Sequence, residues 1–515
     1  MSNDLKKVAI TILSVGALIA VATISINLYL KNKVESFITD RLPENMIRSY
    51  DDITVESFGG SLTITNASLI ITNKEDSLKH TYINVDKLEI SHISYWDYIF
   101  KEEIHIETIS VINPIMAYYK DRVVPKQDST QKGVIDIYKP IFVNKLVVNN
   151  SKFAIYEKGK DSTKLYTKGL SLNINGIKVD KNTIKQKIPF DYKTYQAKGD
   201  SLFVKVSPYE NATVSHFSIK NNDAEFKNIQ LKTKYSKQQL SQIIKTERDH
   251  YNLTLPSLTI ESIGFGFDKK EFYAKSKFIS LTSPTVKIYR DKLVADDPKI
   301  KPLYSQMLRE LPFALTVDSL NISNAKITYE ERVNRDNMGG SIKFENLNAQ
   351  IANASNTYSS PQKTRLQISA DFMGNTPLAV DWSFDVNDKT DAFIFKADMG
   401  ALQAEKMNSF TQPNLNVKLE GHTNKTYFTI DGNSESATTD MKISYSNFKV
   451  NILKKNGKEK NSFFSAIANI FVSQNSKSDE DSFKEGTATA TRDKTKSIFN
   501  FLWISVKAAL EKIIV

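Results

Sequence analysis

The sequence predicts a mainly β protein. An N-terminal transmembrane helix leads into an elongated, twisted antiparallel β-sheet that forms an open groove or stacked sandwiches, with few helices and an amphipathic helix at the C-terminal end. Three observations predict it: an uncharged apolar run from Val8 to Leu30, period-two alternation in segment after segment from about Ser57, and helical patterns too scarce to cover so much sheet. The bounds agree. At 515 residues, with 40% hydrophobic and 25% charged residues, the chain is globular material, neither disordered nor polytopic. It has no cysteine, which excludes disulfide scaffolds, thiolate metal sites and thiol nucleophiles. The net charge of +11 is spread over scattered lysines, with no basic cluster interleaved with aromatics, so the alternation reads as solvated strand faces and no nucleic-acid partner is expected.

Element by element, residues 1–33 are the expected tail and anchor, 34–56 a juxtamembrane helix, 57–310 a first set of β-groove repeats, 311–461 a second set, and 462–515 a helical and hairpin cap. Val8 to Leu30 is about 23 residues long, enough as a helix to cross a hydrocarbon core of roughly 30 Å. Lys6 and Lys7 before it balance Lys31 and Lys33 after it, so charge alone orients it poorly. A short tail and a large polar remainder match a signal anchor with a cytoplasmic N-terminus. The alternative is a cleaved leader, because Ala20-Val21-Ala22 fits a small-x-small site, although apolar sequence continues past it through Ile24, Ile26 and Leu28. Val34, Phe37, Ile38, Leu42, Met46 and Ile47 then recur at helical spacing, with a kink expected at Pro43.

Strands follow, among them 61–72, 86–93, 145–158, 169–179, 257–267, 364–372 and 415–430. Helical patterns interrupt only at 94–102, 236–250, 301–311, 463–472 and 495–514. Five segments share a pattern. Apolar residues sit at Leu62 and Ile64, at Ile109 and Val111, at Leu146 and Val148, at Ile279 and Leu281, and at Leu320 and Ile322; each pair is followed by an Asn or Ser and then Ala, Pro or Ser. Beyond that step the apolar positions change parity, as a β-bulge or sharp bend requires. These ten residues are expected to line one continuous concave apolar surface.

Active-site chemistry is scarce. His80, His92, His105, His216, His250 and His422 stand singly, and no HExxH, nucleophile elbow, Walker loop or GxGxxG is present. The acidic pairs Asp51-Asp52, Glu102-Glu103, Asp296-Asp297 and Glu330-Glu331 flank strands, where solubility asks for charge. No enzyme, cofactor or metal is expected. The apolar sheet face must instead be closed as a sandwich, rolled into a barrel or left as a trough, and a trough of Leu, Ile and Val suits acyl chains. In the last helix Ile498, Phe499, Leu502, Trp503, Val506, Ala509, Leu510 and Ile513 form a broad apolar stripe, which packs over the sheet end or docks at an interface or partner.

The anchor, IHIETISVINPIMAYYK at 104–120, LPFALTVDSLNISNAKITYEE at 311–331, GGSIKFENLNAQIANAS at 339–355 and the C-terminal stretch PLAVDWSFDV (377–386), MKISYSNFKVNILKK (441–455) and RDKTKSIFNFLWISVKAALEK (492–512) together resemble the AsmA-like proteins of Gram-negative envelopes. The resemblance implies an inner-membrane protein whose periplasmic body is a repeating β-groove related to TamB and other bridge-like lipid transfer proteins. Its expected partners are phospholipid or other acyl lipids and the inner membrane, with envelope or outer-membrane proteins met through the C-terminal helix. On this reading Leu62, Ile64, Ile109, Val111, Leu146, Val148, Ile279, Leu281, Leu320 and Ile322 are the lipid-binding residues. The alternative is a non-catalytic envelope assembly factor whose closed sandwiches dock other proteins.

Overall fold

The computed structural model describes residues 3–40, 42–124, 139–158, 162–186, 188–268, 271–453 and 482–513, with side chains in the first helix from residue 17 onward. The chain divides into two compact units, Met1–Val206 with Thr213–Asn221, and Ser207–Ala212 with Asn222–Val515. The boundary expected between residues 310 and 311 falls inside the second unit. There, strands at Glu271–Thr282 and Thr285–Asp291 pair in parallel with Ala314–Arg332, so contacts span that point in the sequence.

In the first unit a helix runs Asn3–Asp40. The juxtamembrane helix expected at 34–56 ends there. Met46 N–H donates to the Pro43 carbonyl at 2.9 Å, closing a turn, and Met46–Ser49 and Asp52–Glu56 are strands paired with Ser61–Thr72. Proline disfavours helical backbone before it, and in the strand that follows Met46 is half-buried while Ile47 is exposed. Among the described residues no helix is long and apolar enough to cross a membrane. The described part of this helix takes in Lys31, Lys33, Glu35 and Asp40, and residues 8–16 of the uncharged run lie outside the described side chains. Residues 17–22 are all exposed, and Leu18, Ile19, Val21, Ile24 and Ile26 present apolar side chains to several sides of the helix.

The sheets are mixed, correcting the purely antiparallel expectation. Hairpins join Ser61–Thr72 to Lys79–Ile93, and Lys79–Ile93 to Ile104–Ile112. Ile104–Ile112 and Ile115–Tyr119 then pair in parallel with Ile141–Tyr156, which returns antiparallel to Thr163–Val179. The second unit repeats this construction around Ala314–Arg332, followed by antiparallel strands Gly340–Ser355, Thr364–Phe372, Thr376–Phe384, Phe393–Met399, Val417–Gly432, Ser436–Ile452 and Lys484–Thr491. A parallel pair needs a long crossover, and the second unit's carries the helix Tyr304–Arg309.

The five parity changes coincide with left-handed backbone. Asn66, Asn113, Asn150, Ser283 and Asn324 have φ between 50° and 52°. This region is costly for most side chains but accessible to asparagine. The bends line up across strands. Asn150 Nδ2 donates to Asn113 Oδ1 at 2.8 Å, and Asn113 Nδ2 to Asp86 Oδ2 at 2.9 Å. In the second unit Asn324 Nδ2 donates to Ser283 Oγ at 3.3 Å and its N–H to Asn348 Oδ1 at 3.0 Å.

Of the expected helices, 94–102 contains one π-helical turn, Asp97–Lys101. Ser236 caps Lys237–Ile243 in a capping box with Gln239, and the expected 236–250 helix stops there, with the strand Asp249–Glu261 starting within its last two residues. The last helix is Ile498–Ile513, and the one expected at 463–472 lies outside the described residues.

Candidate functional site

Residues opposite one another in a ladder share a sheet face, so register shows which apolar positions meet. In the first unit Leu62, Ile90, Ile109, Leu146, Ile174 and Tyr195 form one row. Ile64, Leu88, Val111, Val148, Leu172 and Ala197 form the next. Six of the ten expected lining residues are thereby brought together. Most of these side chains are only half-buried. Ile90, Ile109, Leu146, Leu172, Ile174 and Tyr195 of these rows join a cluster around buried Ile106, Val143 and Ile177, whose other members among the described residues are strand residues and Phe190.

The second unit places the other four in two matching rows. Leu258, Leu281, Ile322, Ala349, Ile368, Val380, Ala397, Phe428, Met441 and Gly486 stand in register, and Ile260, Ile279, Leu320, Ile351, Leu366, Trp382, Phe395, Ile430, Thr439 and Ala488 lie beside them. Here the apolar face closes toward the C-terminal strands. Ile498, Phe501 and Leu502 pack on Trp382, Phe384, Phe393 and Ile430, joined by Leu303 and Tyr304 from the crossover. Ala509 and Ile513 cover Met441, Ile443 and Tyr445. A Cβ on Gly486 would meet Ile513 Cγ1 at 2.6 Å, so this glycine is where the helix backbone approaches the sheet. Burying Phe501 and Leu502 contributes about 1.5–3 kcal/mol each, which makes the helix part of the core.

A groove of about 960 Å³ runs over eight of these strands. Each strand lends three consecutive residues centred on the apolar row, for example Lys396, Ala397 and Asp398, or Asp440, Met441 and Lys442. At Met441 and Gly486 the apolar side is filled by Ala509 and Ile513, so the groove lies on the opposite, polar face. Its walls carry ion pairs such as Lys442 with Glu485 at 2.7 Å. Its lining mixes charged and polar side chains with apolar ones such as Ala379 and Tyr427.

One constellation of titratable groups escaped the sequence reading. Glu247, fully buried, faces Lys292 Nζ at 2.7 Å, Lys496 Nζ at 3.8 Å and Arg290 Nη1 at 4.0 Å. Arg290 also grips Asp249 with two bonds of 2.7 Å, and the Tyr251 hydroxyl donates to Asp249 at 3.1 Å. Burial and the Asp249 charge push the Tyr251 phenol up to about 12, so it stays a donor at neutral pH. Burial lowers the Arg290 value, but the Asp249 bonds outweigh it and hold the guanidinium above its usual range. Every charge here has a counter-charge on a neighbouring strand or on the C-terminal segment. The cluster staples elements together and offers no nucleophile or open polar pocket.

The remaining candidates are dispersed. His105 bonds Glu103 and stacks on Phe142, His80 bonds Thr81, and His250 bonds the Tyr235 carbonyl. In the acidic pairs, Asp52 meets Lys31, Asp296 meets Lys496, and Glu330 meets Lys237. Among the described residues no group of three or more His, Asp or Glu could hold a metal ion. No protein-family model matches this sequence, and no curated protein matches it.

Proposed function

We propose that this chain is a single-pass, inner-membrane protein of the AsmA-like kind, its N-terminus cytoplasmic and its bulk periplasmic, that holds acyl chains of phospholipid against the apolar rows of the first unit and contributes to envelope lipid homeostasis without catalysing a reaction. One observation carries it: two rows of mostly half-buried Leu, Ile and Val, the first of them joined to a cluster built of strand residues and Phe190 among the described residues, follow on a helix whose apolar side chains stand exposed on several sides. Such a helix is at home in lipid, and such a face takes an apolar ligand. Each methylene buried there contributes roughly 0.8 kcal/mol, so a lipid loses little on leaving the bilayer.

A second reading, a docking factor with closed β-domains, is favoured in the second unit alone, where the C-terminal helix covers the apolar face. The two readings part on Val148→Asp. In an open trough an inward charge stays solvated and blocks lipid, whereas in a closed core it collapses the fold. We expect wild type to yield phospholipid on extraction and adducts from a photocrosslinker at Val148. Val148→Asp keeps the native melting curve with the lipid lost, and Thr63→Asp on the other face keeps both. Lipid-free wild type together with an unfolded Val148→Asp would overturn the proposal.

A further inference from the structure

Two loops of the first unit expose large apolar side chains together at one end of its sheet. The segment between Ile93 and Ile104 presents Trp96, Ile99 and Phe100 at 66%, 65% and 63% exposure, beside Tyr95 and Tyr98, and the turn at 57–60 presents Phe58 at 87%. The loops are joined. Ile93 N–H donates to the Gly60 carbonyl at 2.9 Å, and Gly60, with φ of +59°, sits so close that a Cβ would lie 2.7 Å from the Ile93 oxygen.

The same end abuts the N-terminal helix. Ser57 N–H donates to Asn27 Oδ1 at 2.7 Å, and Lys31 pairs with Asp52 at 2.9 Å. Asn27 lies near the end of the uncharged run, so the Phe58 turn is held level with the last turn of the apolar helix. Cations flank the aromatics. Lys139 Nζ lies 4.1 Å from the centre of the Tyr98 ring and donates to the Tyr98 carbonyl, and Lys101 pairs with Asp97 at 2.7 Å.

Exposed apolar residues on soluble surfaces are normally scattered singly, whereas aromatic rings edged with lysine collect where a bilayer meets water. The apolar cluster of the first unit also reaches this end, through Ile93, Ile104 and Ile141. We infer that the Phe58 turn and the Tyr95–Phe100 loop insert into the headgroup region of the very membrane that the N-terminal helix crosses, setting the apolar rows at the lipid surface as an entry mouth. The inference rests on the proposed anchor and adds a second, independent attachment.

The cysteine-free chain allows single nitroxide labels on full-length protein in vesicles of phosphatidylethanolamine and phosphatidylglycerol. Three variants suffice: Ile99→Cys in the loop, Leu18→Cys in the helix, and Leu78→Cys at the far end of the Ser61–Thr72 and Lys79–Ile93 hairpin. Labels at Ile99 and Leu18 should collide with oxygen and lose collisions with a water-soluble relaxant, while the Leu78 label keeps them. If Leu18 is in lipid and Ile99 in water, the mouth is overturned and the anchor stands. If Leu18 is in water and Ile99 in lipid, the spanning helix is overturned and the loop's insertion stands. Both labels in water would overturn both.

Discussion

Asn150 illustrates how single residues shape this fold. Its left-handed backbone breaks the alternation of Ile141–Tyr156, and its side-chain amide ties that break to Asn113 on the parallel neighbour. Asn150→Gly keeps the backbone and loses one hydrogen bond, so chemical denaturation should report a loss of about 1 kcal/mol. Asn150→Val forces a β-branched residue into the left-handed region and should cost about 2–3 kcal/mol. Equal losses for the two would contradict a backbone role. Glu247 poses the opposite case, because its removal takes the carboxylate from Lys292 and brings Lys292, Lys496 and Arg290 together with one negative charge fewer, Arg290 keeping Asp249 and Lys496 keeping Asp296. Glu247→Ala should therefore destabilise the second unit by about 3 kcal/mol, read as a lower melting midpoint. The bends were legible in the sequence, since a parity change at an asparagine is a local signal. The Glu247 network was not, because its members are scattered from 247 to 496 and charge alone does not reveal a partner.

Among the elements, the C-terminal helix separates two kinds of apolar surface. Its stripe was readable from 3.6-residue spacing, but the strands it covers were not, because alternation looks the same on a covered and an uncovered face. Parallel pairing was hidden for a similar reason. Ile109 beside Leu146 and Ile279 beside Leu320 satisfy period two in either direction. The short strand at Met46–Ser49 was misread because four residues cannot distinguish the two periods. A test follows from the helix itself. Ala509 is 0% exposed, so Ala509→Asp should abolish cooperative unfolding of the second unit, measured by near-UV circular dichroism. If that spectrum stays native, the helix does not close the face.

At the scale of the molecule, the proposal of an anchored chain with lipid held in its first unit predicts where adducts fall. Photocrosslinkers at Val111 and Val148 should capture phospholipid in intact cells, and one at Ile430, 0% exposed beneath the C-terminal helix, should capture none. Adducts at Ile430 alone would reverse the assignment of the two units.

The parallel pairing also sets a timetable for the chain as it is made. Ile104–Ile112 finds its antiparallel neighbour, Lys79–Ile93, already synthesised, but its other edge waits for Ile141–Tyr156, with Asn113 and Asn150 separated by 37 positions. At about 5–20 residues per second, that edge stays unpaired for roughly 2–7 seconds. A strand rich in isoleucine, with its backbone donors and acceptors open for that long, is a template for the wrong chain. The nascent protein should therefore lean on a holding chaperone during this interval, and depletion of such a chaperone should trap aggregates cross-linked through residues 104–112.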